Sequence, residues 1–410
     1  MQSVIVEGTL ADVDGVRRGQ LRIENGVIVA VGPGLGKPDH GFGESCLIFA
    51  GMGDVHIHAR QDVTGRDDYK ETFATASAAA LHGGVVQVAD MPNNPAAPVD
   101  DASYAAKERL VARQNLPVAF TLYAGVGPGT RPLQRHVPYK AYMGPSVGDL
   151  FFNSLDELDR TLASYRGQAV SFHCEDPVLL EQHRSAPTHE ARRPPECELS
   201  ATRFALSMIE KYDLQGKLCH YSVGEGLPLI REAKARGLAV SAEVTPHHVF
   251  FDTAMLTNAN RPWMQMNPPL RGPADRAAML EALRDGTADY LATDHAPHTL
   301  AEKERGVSGQ PHLDTYGPFV TWLLVEQGFT PERIAAICSA NPGVFVNAYS
   351  GEKFGRLAPG YVGSLTVLDL KSPTTVRRQD LRTRCGWSPF EGVTFPGAVE
   401  AVFIRGRRLA

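Results

Sequence analysis

Apolar positions recur along the chain in two rhythms, and the change between them divides it. Residues 1 to about 50 hold short alternating segments at 3–7, 20–24 and 26–31, split by Gly and Asp turns, the pattern of a small β unit. From Gly51 the apolar positions gather into strand-like runs at 54–58, 85–90, 118–123, 139–143, 169–173, 217–221, 238–244 and 290–293. Between most of them the spacing is that of helices, at 69–81, 103–113, 155–165, 202–212, 227–236 and 274–284. Eight β runs alternating with helices over roughly 250–300 residues predict an α/β protein built on a (β/α)8 barrel of the TIM type, with its active site at the C-terminal ends of the strands. One link is irregular, because the Gly- and Pro-rich stretch 125–132 cannot be helical, so a loop or a single turn is expected in place of the third helix. Helical patterning follows the last run at 316–326 and 331–340, and strand-and-turn patterning then returns from 355 to 410. The expected division is a barrel over 51–348, with 1–50 and 349–410 pairing into one small β-sandwich beside it.

Composition narrows the class. The 410 residues are 43% hydrophobic and 21% charged, with 39 Gly and 29 Pro punctuating many short elements, as in an ordinary globular enzyme. A formal charge of -5 gives no basic field for a nucleic-acid backbone, and Arg405-Gly406-Arg407-Arg408 is too short to supply one. A small-molecule partner is expected instead. The six cysteines are scattered without Cys-x-x-Cys spacing and read as reduced thiols. The first residues read as a strand rather than a leader and no apolar run approaches a membrane span, so a cytoplasmic location is expected.

The chemistry starts at Asp54-Val55-His56-Ile57-His58-Ala59-Arg60. On a strand, alternate side chains share a face, so two imidazoles and a guanidinium point toward one spot, half of a metal site with a cation beside it for an anionic ligand. The other strand ends carry matching types: Lys140 on the fourth run, His173 on the fifth, His220 on the sixth and Asp294 on the eighth. Four His and one Asp suit one or two divalent ions, zinc first, with manganese or cobalt as substitutes. A buried lysine near metal charge can lose its proton and add carbon dioxide, giving an anionic two-oxygen carbamate. Asp149, nine residues beyond Lys140, is the alternative bridging carboxylate.

These residues lie in an ordered series of motifs. They are Asp-Val-His-Ile-His-Ala-Arg at 54–60, Met-Pro-Asn at 91–93, Tyr-Lys-Ala-Tyr-Met-Gly-Pro-Ser at 139–146 and His-Cys-Glu-Asp at 173–176. The series continues with His-Tyr-Ser at 220–222, Thr-Pro-His-His at 245–248, Asn-Pro-Pro-Leu-Arg at 267–271, Thr-Asp-His-Ala-Pro-His at 293–298 and Trp-Ser-Pro-Phe-Glu-Gly at 387–392. Over nearly its whole length the chain resembles the amidohydrolase superfamily, and within it the dihydroorotases of pyrimidine synthesis. That resemblance implies two zinc ions per chain, one held by His56, His58 and Asp294, the other by His173 and His220, with carboxylated Lys140 bridging them. It implies Asp294 as the general acid and base, Arg60, Asn93 and His298 around the substrate carboxylate, and Asn267 against the pyrimidine ring. His247, His248 and His295 are expected to support the site, and Gly309 to allow close approach of backbone to the ring.

The resemblance also implies a homodimer and leaves open an association with aspartate transcarbamoylase. A hydantoinase, dihydropyrimidinase or allantoinase is the alternative activity; relatives of those kinds generally lack the Arg at position 60. A non-catalytic dihydroorotase-like partner of aspartate transcarbamoylase is the third reading, and the full ligand set argues against it. One departure stands out: Gln61-Asp62-Val63-Thr64-Gly65-Arg66 replaces the Asp or Glu, Pro and Gly that usually follow the Arg, so a different loop over the site is expected.

Overall fold

The structure, a computed structural model, describes residues 3–146 and 149–409. The chain opens with an antiparallel meander of β1 (Ser3–Asp12), β2 (Gly15–Glu24) and β3 (Val27–Gly32). Asn25 and Gly26, with φ of +50° and +85°, form the two-residue turn between β2 and β3, where both positions are left-handed. Two further strands, β4 (His40–Gly41) and β5 (Cys46–Ala50), pair in parallel with β1.

Nine parallel strands follow. One sheet holds β6 (Met52–Ile57), β7 (Val85–Asp90) and β8 (Ala119–Leu122). The other holds β9 (Ala124–Val126), β10 (Tyr139–Tyr142), β11 (Ala169–His173), β12 (Gln215–Leu218), β13 (Val240–Val244) and β14 (Tyr290–Leu291), paired in that order. The strands β8 and β9 are one run that changes partner at Tyr123: Tyr123 N–H donates to Asp90 O at 3.0 Å, and Ala124 N–H to Pro138 O at 2.9 Å. At the other edges, Ile57 bridges His295 in parallel and His58 N–H donates to His295 O at 2.8 Å. Every residue of β6 and β7 is buried, as expected of parallel strands covered on both faces.

Helices lie between these strands where the periodicity predicts them. Phe73–His82 and Asp101–Ala112 each start at a capping box, Thr72 with Thr75 and Asp100 with Ser103. The helix Pro195–Tyr212 begins seven residues before its predicted start at 202, since Pro is tolerated in a first helical turn and its fixed φ suits a helix start. Among the described residues no helix falls between Asp101–Ala112 and Leu155–Leu162, in line with the non-helical 125–132.

The chain ends meet. The strand β15 (Leu365–Asp369) pairs antiparallel with β5, and the short ribbon of β16 (Thr374–Thr375) and β17 (Thr394–Phe395) precedes β18 (Ala398–Ile404) and β19 (Arg407–Arg408). The result is one hydrogen-bonded set of eight strands, of order β19-β18-β15-β5-β1-β2-β3 with β4 on β1, which joins the two ends of the chain. Strand β5 makes the join, and its sequence Cys-Leu-Ile-Phe-Ala has no polar alternation to announce a strand. Burial explains that: Leu47 and Phe49 enter the main core, while Cys46, Ile48 and Ala50 enter a second core with Leu365 and Val367. Among the described residues no helix is long and apolar enough to cross a membrane.

Candidate active site

The site is assembled where the parallel strands end. Strand β6 delivers His56, and His58 follows one residue past its end. Asp54 ties this strand to the segment after β14, accepting from His56 N and Thr293 N, both at 3.1 Å, and from the Thr293 hydroxyl. Asp294 comes next, in a left-handed conformation at φ +47°. Its Oδ1 lies 3.2 Å from His56 Nε2 and 3.0 Å from His58 Nε2. The outer nitrogens are occupied: His56 Nδ1 faces Glu243 Oε1, and His58 Nδ1 lies 2.7 Å from Asn93 Oδ1. Ionised carboxylate and amide oxygens only accept, so each Nδ1 carries the proton and each Nε2 presents its lone pair inward.

The second pair is built on β11 and just beyond β12. His173 Nε2 sits 2.7 Å from Glu175 Oε2, which turns its Nδ1 inward to within 2.9 Å of His220 Nε2. Arg193 Nη1 donates to the same Glu175 oxygen at 3.0 Å. His220 has φ +37°, its backbone N–H donates to Glu243 Oε1 at 3.0 Å, and its buried Nδ1 has no partner. Lys140, on β10, is fully buried; its Nζ has no hydrogen-bond partner and lies 5.2 Å from the Tyr142 ring centre.

Burial holds all four imidazoles below their ordinary pKa, and the Lys140 charge lowers them further. Neutral imidazoles are the form that binds metal. Burial pushes Asp294 up to about 7, against the opposing pull of Lys140. The ligand atoms of His56, His58 and Asp294 fall within 4.8 Å of one another, and so do those of His56, Cys219 and Glu243. The second trio is a poor cation site, because burial lifts the Cys219 thiol to about 11 and Lys217 already pairs with Glu243. The first trio, with inward lone pairs and one carboxylate, fits a divalent cation.

Arg60 borders the same narrow cleft, with Asn93, Asn267, Ser308 and Gly309. It is 3% exposed with φ +62°, and donates from Nε to Pro297 O at 3.2 Å and from Nη2 to His298 Nε2 at 3.1 Å. Neither acceptor is anionic, so the buried guanidinium is left able to take a carboxylate from the cleft. His298 stands behind Arg60 rather than in the cleft lining, kept neutral by burial and the Arg60 charge, which lower it to about 3. Asn267 Oδ1 is buried without a partner. Gly309 has φ +133°, and a Cβ there would stand 2.6 Å from Ala296 O and 2.9 Å from His298 Cδ2.

Other residues stand around the chemistry rather than in it. Asp149 is exposed and lines a neighbouring pocket with Arg60, Arg66, Lys70 and Asn93, and is absent from the lining of the cleft that holds the histidines. Its nine-residue separation from Lys140 carries it off the strand end. His247 pairs with His312 at 2.9 Å, His248 holds Pro268 O at 3.1 Å behind Asn267, and His295 lies 3.2 Å from Glu71. The unusual loop after Arg60 is anchored by Asp62, which accepts from Thr64 N and Ala96 N, both at 2.7 Å. Glu243 and Glu175 orient the histidines although neither is among the residues expected to form the site. The signal for Glu243 is a lone carboxylate inside an otherwise apolar strand run, which demands a buried partner.

Residues 47–409 match the amidohydrolase family. The chain belongs to it. Among the curated relatives of this amidohydrolase is the dihydroorotase of Pyrococcus furiosus, 30% identical over 98% of this chain and 91% of the relative. Another is the dihydroorotase of a Geobacillus species, 30% identical over 99% of this chain and 98% of its own. Among solved structures the amidohydrolase shares its fold with the L-hydantoinase (dihydropyrimidinase) of Arthrobacter aurescens, at a TM-score of 0.90 and 24% identity over 100% of this chain and 96% of that one.

Proposed function

We propose that this amidohydrolase is a dihydroorotase, catalysing the reversible cyclisation of N-carbamoyl-L-aspartate to L-dihydroorotate. The observation that carries the reading is Arg60, a buried cation bordering the cleft that holds the four histidines and Asp294. Dihydroorotate bears a carboxylate for it; hydantoins and dihydropyrimidines need not. The names of the relatives agree with this choice. We read the two parallel sheets, which touch at both pairs of edges, as one closed (β/α)8 barrel over 51–348, flanked by the sheet from 1–50 and 349–410.

His56, His58 and Asp294 would hold one zinc ion, and His173 and His220 a second, with carboxylated Lys140 between them. The orphaned Lys140 Nζ and the facing His173 and His220 nitrogens support that assignment. When bound, such ions supply a nucleophilic hydroxide at neutral pH and polarise the carbonyl under attack. Arg60 and Asn93 hold the substrate carboxylate, His298 fixes the Arg60 fork from behind, and Asn267 contacts the ring. Asp294 takes the proton of the attacking water and delivers it to the departing ring nitrogen. In the synthetic direction it removes a proton from the ureido nitrogen.

The test is a spectrophotometric assay of dihydroorotate opening beside hydantoin and allantoin, on wild type and Arg60→Met. A charge-assisted Arg–carboxylate contact is worth about 1.5–3 kcal/mol, so KM for dihydroorotate should rise roughly ten- to a hundredfold in the variant. Equal losses on dihydroorotate and on a neutral ring would remove Arg60 from carboxylate binding.

A further inference from the structure

Two segments that border the ligand cleft have no strand ladder or helix of their own to fix them. Residues 265–267 end at Asn267, and 305–309 carry Ser308 and Gly309, with Gly306 and Gly309 at φ of +74° and +133°. Backbone groups in such stretches must find partners elsewhere. One side chain satisfies three of them. The helix Leu300–Glu304 starts at a capping box of Thr299 with Glu302, and the next residue, Lys303, turns into the protein at 0% exposure. Its Nζ donates to Gln265 O at 2.9 Å, to Val307 O at 2.7 Å and to Gly309 O at 2.9 Å. Gln265 O also accepts from Gly309 N–H at 3.0 Å, so the two segments are tied at one point.

Lys107 and Lys217, also buried, pair with carboxylates, Asp90 at 2.6 Å and Glu243. Lys303 is different. It forms no ion pair among the described residues, and beyond the three carbonyls it faces the Trp387 ring, whose centre is 5.6 Å from Nζ. Trp387 Nε1 donates in turn to His298 O at 2.7 Å. Burial pulls the Lys303 pKa down to about 7, and the carbonyls oppose that pull, because a neutral amine has only two N–H groups for three acceptors. What the residue fixes is geometry: three carbonyls converge on one atom, so neither segment can shift without leaving one of them unpaired.

We propose that Lys303 is a positioning residue for the reaction: by joining 265–267 to 307–309 it holds Asn267, Ser308 and Gly309 in the arrangement that receives the substrate ring. The inference rests on the dihydroorotase reading of the cleft. Its test is Lys303→Met, which nearly keeps the side chain's length and removes every donor, in the full-length, metal-loaded protein. KM for dihydroorotate should rise at least about tenfold while kcat changes less than about threefold, since neither segment carries a metal ligand or Asp294. Metal content should match wild type, and amide hydrogen exchange should quicken at 305–311 but not at 54–60. An unchanged KM, a loss carried by kcat, loss of metal, or exchange that quickens equally along the chain would each overturn the proposal. Lys303→Gln, which keeps a shorter donor, is measured in the same way if the methionine protein does not fold; failure of both to fold would make Lys303 a residue of the fold alone and overturn it too. A wild type that opens no dihydroorotate would sink the reading of the activity instead, and exchange in Lys303→Met still decides whether the lysine holds the two segments.

Discussion

The two halves of the ligand cluster are held in different ways. Around His56 and His58 the outer nitrogens are fixed by Glu243 and Asn93, and Asp294 Oδ1 already stands about 3 Å from both inward nitrogens. Around His173 and His220 only one ring is oriented by a carboxylate, the other has an orphaned Nδ1, and the inward nitrogens face each other at 2.9 Å with no anion between them. The first half is organised for a cation by its own side chains. On the reading proposed above, the second takes its negative group from Lys140, whose buried Nζ has no hydrogen-bond partner. Arg60, His220 and Asp294 are three of the seven non-glycine residues with positive φ among the described residues, so local backbone strain is concentrated where these halves meet.

The largest effect should come from the residue that the first half shares with the chemistry. Asp294→Asn removes the proposed proton carrier but keeps an oxygen toward the histidines, so turnover should fall about 10²- to 10⁴-fold with the protein folded and metal largely retained. Near-normal kcat in that variant would strip Asp294 of its proton-transfer role. Next, Lys140→Ala should empty the second half first: bound metal falls while the His56 and His58 side keeps its ion, and added short carboxylic acids restore part of the activity. Metal analysis decides this, and an unchanged metal content would mean that the second half needs no lysine-derived anion.

How much of this could be read in the sequence follows from the same contrast. The inward ligands were legible because histidine, lysine and aspartate at the ends of apolar runs have few other reasons to be there, and strand alternation gives their direction. The residues that orient them were not. Glu243 lies within a strand run whose other positions are Val, Ala and Ser, and only the folded chain brings it to His56, Lys217 and the His220 backbone at once. Asp149 shows the converse, a suitable type at a short sequence distance whose side chain is exposed and does not line the histidine cleft. The terminal strands were anticipated by alternation, whereas β5 was hidden because it is buried on both faces.

The orienting carboxylates sharpen the comparison. Glu243→Gln leaves His56 Nδ1 without a charged partner and Lys217 without its counter-ion, so the first half should lose roughly 10- to 100-fold in metal affinity by chelator competition. Glu175→Gln should act on the second half, through the orientation of His173. If Glu243→Gln leaves metal affinity unchanged, this carboxylate is not what keeps His56 oriented for the ion.

The smallest effect concerns stability in the metal-free protein. Burial alone would raise the Glu175 carboxyl, but Arg193 and then His173 more than offset it and hold it at about 2, below the ordinary 4.5. The folded state therefore binds this proton more weakly than the unfolded chain does. Its stabilising contribution is complete above about 4.5 and drains away as the pH falls toward about 2. Urea midpoints of wild type and Glu175→Gln should differ most near neutrality, draw together below about pH 4.5 and converge only as the pH approaches about 2. A gap that stays constant with pH would mean that the amide disturbs packing around His173 and Arg193, and that the charge on Glu175 contributes little to holding the second half together.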